Sequence, residues 1–105
     1  MTRSYVLAQS AVADLREITR YTRKQWGNDQ TRRYIAKLEQ CTETLAKGDC
    51  IYKDLSLLHP GLRMVLCEQH YIFCVPRPAA PARVIAILHE RMDLMTRLNS
   101  RLAVE

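Results

Sequence analysis

The chain has 105 residues, 48% of them hydrophobic, with four cysteines and a formal net charge of +5. That length builds one domain, expected to span residues 1–105, whose core needs no staple. The apolar share excludes a disordered chain, and no apolar run approaches the roughly 20 residues of a bilayer span.

Ser4 to Ala8 reads as a short first strand. A helix then runs from about Ser10 to Trp26, with Ala11, Leu15, Ile18 and Thr22 on one face at steps of three and four. Gly27 is a natural left-handed stop, and Asn28 offers an N-cap to the next helix. There Tyr34, Ile35, Leu38, Cys41, Thr42 and Leu45 repeat at helical spacing up to Gly48. Two helices joined in this way form an antiparallel αα-hairpin.

Residues 49–61 read as a connector closed by the Pro60-Gly61 turn signal. Leu62 to Cys67 and His70 to Val75 are strand-like, with Glu68-Gln69 as a hairpin turn. The segment from Pro76 to Pro81 lacks the ladder donor at three positions, which predicts a stiff loop. The β-branched run Val84-Ile85-Ala86-Ile87-Leu88 is the last strand, from Arg83 to Leu88. Asp93 then caps a lightly anchored helix of about three turns, in which Met95, Leu98 and Leu102 share a face.

The order is β-α-α-β-β-β with a helical tail, an α+β fold with the hairpin packed on one face of a small sheet. Such a fold leaves an apolar groove along the helix–sheet seam and an exposed sheet edge, either of which accepts a segment of another chain. Leu15, Ile18, Leu38, Tyr71 and Phe73 are the candidates for that groove.

No Gly-rich phosphate loop, Walker motif or nucleophile elbow is present, and the histidines and carboxylates are too scattered for acid–base chemistry. Cys41, Cys50, Cys67 and Cys74 form no Cys-x-x-Cys pair and no metal-like group with His59, His70 or His89. Buried free thiols are expected, with neither metal nor cofactor. Charged Asp14 and Arg16 come too early for a signal peptide, which points to the cytoplasm and away from membranes. A pI near 9.3 raises nucleic acid as a partner. Arg16, Arg20, Arg23 and Lys24 line the outer side of the first helix, but the plainer reading is a solvated face. Trp26 and Tyr34 read as hairpin packing rather than a stacking platform, so direct nucleic-acid binding is disfavoured though left open.

Gln25-Trp26-Gly27, Pro60-Gly61-Leu62-Arg63, His70-Tyr71-Ile72-Phe73 and Ile87-Leu88-His89-Glu90-Arg91-Met92-Asp93 follow one another over nearly the whole chain. In this order they resemble the ParE toxins of the RelE/ParE superfamily. The resemblance implies that family's fold, a mainly antiparallel sheet under an αα-hairpin. It also implies the toxic half of a type II toxin–antitoxin pair, of the kind tied to plasmid stabilisation and growth inhibition. A ParD-like antitoxin would neutralise it, and DNA gyrase would be its target, with replication blocked. Two positions depart from the family pattern. Cys74 stands where a tyrosine is usual, and Ala8-Gln9 replaces a Ser-Pro helix cap.

RelE-type relatives on this fold cut messenger RNA on the ribosome, through basic groups on the middle strands, an arginine past the last strand and a later tyrosine. Here Arg63 matches one basic position, but Val65, Glu90 and Thr96 fall where lysine, arginine and tyrosine would be expected. A carboxylate beside the scissile phosphate would repel it, so a non-catalytic inhibitor is the favoured reading. A ribonuclease, or a non-toxic relic that only binds an antitoxin, is the alternative. Target contact is assigned to the strand end and tail, through Arg63, His89, Arg91, Asp93, Arg97 and Arg101.

Overall fold

Gly27 shapes the first half of the molecule, a computed structural model in which residues 4–104 are described. Gln9–Lys47 (α1) consists of two helical arms that meet at one non-helical residue, Gly27, at φ 86° and ψ 177°. A straight helix of 39 residues would be about 58 Å long, and the longest dimension here is 38 Å. The chain folds back at Gly27, and the two arms of α1 are the expected hairpin. The second arm ends at Gly48 in the left-handed conformation, its N–H donating to the carbonyls of Leu45 and Thr44.

Five strands follow the order β1-β5-β4-β3-β2. Tyr5–Leu7 (β1) pairs parallel to Ala80–His89 (β5), with Val6 opposite Arg83. Lys53–Asp54 (β2), Arg63–Cys67 (β3), His70–Arg77 (β4) and β5 are antiparallel neighbours. The two-residue β2 arises inside the expected connector. It covers only Arg63 and Met64 of β3, so residues 65–67 present an open edge.

Period-two alternation divides the apolar residues between two cores. Ala11, Ile18, Leu38 and Leu45 of the hairpin bury against Ile72 and Val84 on one face. On the other face Leu62, Phe73, Ile85 and Leu88 lie beneath Leu98 of the C-terminal helix, Leu94–Leu102 (α2). Asp93 caps α2, accepting from the Thr96 amide at 3.3 Å and its hydroxyl at 2.8 Å. Leu94 packs on the second core, whereas Met95, expected on the buried face, is exposed.

Three expectations are corrected. The proline segment is not a loop but a hairpin that turns at Pro78-Ala79, with Arg77 opposite Ala80 and Ala79 at φ 56°. Pro76 falls at a register irregularity, and Pro81 lies just before Ala82, the first residue β1 pairs with, so each missing donor sits where the ladder is interrupted or ends. Cys41 and Cys67 are not free thiols but form a disulfide, Cα atoms 6.3 Å apart, that joins the second arm of α1 to β3. Cys50 and Cys74 stay free, and burial pushes the Cys74 thiol up to about 11. Trp26 is not packed into the hairpin; it is 69% exposed.

Candidate functional site

The six residues assigned to target contact divide into surface and scaffold. His89, at the end of β5, accepts the Arg91 N–H at Nδ1 (3.1 Å), which tightens the turn into α2. Arg91, Asp93 and Arg97 are exposed along that turn and the first turns of the helix. The Thr96 hydrogen bonds hold the Asp93 carboxyl below the usual carboxylate range.

Arg63 and Arg101 sit elsewhere and do other work. Arg63 donates to the Leu45 and Ala46 carbonyls at 3.2 and 3.4 Å and lies 4.7 Å over the Tyr52 ring. It satisfies the open carbonyl end of the second arm, a favourable place for a cation. Arg101 makes a bidentate pair with Asp14 at 2.7 and 2.8 Å and also donates to the Ile85 carbonyl. Hydrogen bonding to Asp14 raises the Arg101 pKa further. Both arginines are clamps between elements, and their charges face inward because helix ends and a part-buried carboxylate demand them.

The five residues assigned to the partner groove lie on opposite sides of the sheet. Ile18 and Leu38 are buried in the hairpin core, with Leu15 packed beside them. Phe73 is buried in the second core, with Tyr71 packed beside it. Ile18, Leu38 and Phe73 therefore offer no surface to a partner. Leu66, 46% exposed and directly opposite Tyr71 in register, does face solvent at the edge of the sheet.

A groove of about 760 Å3 opens between the hairpin tip and the strand ends, which sequence reasoning missed. Tyr21, Trp26, Tyr34, His70, His89 and Arg91 line it. The Gln69 N–H donates to the Tyr34 oxygen at 3.2 Å, and the Tyr34 hydroxyl and His70 Nδ1 share a hydrogen bond of 2.6 Å. Burial raises the Tyr34 pKa. Burial, and then the neighbouring His89, push His70 down to about 4, so it stays neutral. The His70 and His89 rings meet edge to face at 5.1 Å. This is an aromatic-lined cleft with Arg91 at its mouth. Period-two alternation in β4 puts His70 on the side of Ile72, which faces the hairpin, but no sequence signal brings it to Tyr34.

Comparison with known proteins agrees with this architecture. Residues 5–94 match the family model described as the ParE toxin of the type II toxin–antitoxin system, parDE. The chain is 62% identical over 99 residues to Toxin ParE of Escherichia coli, covering 94% of this chain and 96% of that one. It is 30% identical over 94 residues to Toxin ParE1 of Mycobacterium tuberculosis, covering 90% and 96%. The fold is similar to a solved structure titled as the chromosomal ParDE TA system from P. aeruginosa, with TM-score 0.65 and 15% identity over 85% of this chain and 95% of that one. The chain belongs to the ParE toxin family of type II toxin–antitoxin systems.

Proposed function

We propose that the chain inhibits DNA gyrase by binding it in the cytoplasm, performs no chemistry of its own, and is neutralised by a ParD-like antitoxin. The observation that carries the non-catalytic reading is Arg63. It is the one residue matching the basic pattern of the ribonuclease relatives, and its guanidinium is held by the Leu45 and Ala46 carbonyls instead of facing a substrate. Thr96, in the tyrosine position, is likewise engaged with Asp93.

Target contact falls to His89, Arg91 and Arg97 on the strand end and the outer side of α2, with Asp93 fixing the helix start. Arg101 and Arg63 support that surface by holding α2 and the hairpin end in place. The antitoxin engages the open edge of β3 and the Leu66–Tyr71 pair, and the basic charge speeds its approach.

Expression of the chain alone should arrest bacterial growth, and co-expression of the neighbouring antitoxin gene should restore it. Arg91→Ala with Arg97→Ala should relieve arrest while the protein still co-purifies with the antitoxin. Leu66→Asp should leave arrest intact and weaken co-purification. Unimpeded growth on expression of the folded chain would overturn the proposal.

A further inference from the structure

The positive charge of this protein is concentrated in one place. Residues 16–37, the hairpin tip, hold seven cations against Glu17 and Asp29, a net +5 that equals the charge of the whole chain. All seven cations are exposed. Arg20 pairs with Glu17, Arg32 with Asp29 and Lys37 with Glu68. Arg16, Arg23, Lys24 and Arg33 have no ion-pair partner among the described residues.

The same tip carries large aromatic rings in water. Trp26 is 69% and Tyr21 65% exposed, and both open onto the groove that Tyr34, His70 and His89 line from the other side. Nothing in the core requires a tryptophan there. The two carboxylates at the groove, Glu17 and Glu68, are already offset by Arg20 and Lys37. Cations that track phosphates, set beside flat rings that accept unstacked bases, are the two components of a sequence-tolerant single-strand binding surface.

We propose that the hairpin tip and its groove bind single-stranded nucleic acid, with bases stacked on Trp26 and Tyr21 and phosphates held by Arg23, Lys24 and Arg33. An acidic peptide would satisfy the cations but gives no reason for exposed rings flanking them. A duplex would satisfy the cations but keeps its bases from the rings. The inference does not depend on the gyrase reading, because it rests on the hairpin-tip cations and rings, although His89 and Arg91, assigned there to target contact, also line this groove.

Trp26 is the only tryptophan of the chain, so its fluorescence reports on this site alone. The test titrates the full-length protein with oligo-dT, oligo-U, a matching dA·dT duplex and poly-glutamate, at several salt concentrations. Oligo-dT or oligo-U should quench Trp26, and the two arms distinguish DNA from RNA as the source. The log–log salt slope should be about −2, as three neutralised phosphates require for a single strand. With a dye-labelled strand read by anisotropy, Trp26→Ala should weaken binding about tenfold, while Trp26→Phe retains most of it. Arg23→Glu with Arg33→Glu should abolish it without lowering the melting temperature. Poly-glutamate that binds and quenches as well as the single strands would overturn the proposal. Duplex binding tighter than single-strand binding, an unchanged affinity in Trp26→Ala, or no binding at low salt would do so too.

Discussion

Arg101 and Asp14 meet across 87 residues of chain with only 18% and 13% of their side chains exposed. Asp14 also accepts the Ile87 amide at 3.0 Å, so its carboxylate joins α1, α2 and β5. Removing one member leaves the other charged and unpaired in a poorly solvated place. Arg101→Ala should destabilise the protein by about 3 kcal/mol in urea unfolding, and Arg101→Ala with Asp14→Asn should recover part of that loss. His70 supplies the pH dependence. Its folded pKa of about 4 lies below the ordinary 6.5, so between those values the unfolded chain binds more protons. This contribution is fully present above 6.5 and is lost as pH falls towards 4. Melting temperature should therefore drop on acidification through that window, and His70→Gln should flatten the drop. An equal slope in both proteins would refute the neutral, Tyr34-bonded imidazole.

At the scale of elements, Gly27 and α2 invite the clearest tests. The Gly27 conformation, φ 86° with ψ 177°, belongs to a region that side chains avoid, although a Cβ there meets nothing within 4 Å. Gly27→Ala should cost about 2 kcal/mol in chemical denaturation through backbone strain alone. The tail read from the sequence as lightly anchored is instead the lid of the second core, with Leu98 buried on Phe73 and Ile85. Truncation after Asp93 should abolish the cooperative unfolding transition, which removes it as a probe of toxicity and makes surface substitutions the proper ones. The hairpin was legible because helical periodicity broke at a glycine followed by a cap residue. The β4–β5 ribbon was not, because proline count alone does not tell a loop from strands whose prolines fall at an irregularity and an end. Partner register carries that information, and it is a property of the sheet.

Across the whole molecule, the fold and family could be read from the order of short motifs, whereas the division of labour among the arginines could not. Arg63, Arg91, Arg97 and Arg101 look alike in sequence, and only the positions of the Leu45 carbonyl and the Asp14 carboxylate separate clamps from surface cations. The disulfide was hidden for the same reason, since nothing local pairs residues 26 apart. The aromatic cleft escaped notice because exposure of Trp26 depends on where the hairpin ends relative to the strand ends. The proposed inhibition of gyrase is tested most directly by adding the purified chain to purified gyrase and relaxed plasmid DNA with ATP and following supercoiling. Supercoiling should fall with added protein, recover when the antitoxin is present, and be spared by Arg91→Ala with Arg97→Ala. Undiminished supercoiling at excess folded protein, together with ribosome-dependent cleavage of messenger RNA that Arg63→Ala abolishes, would contradict the account.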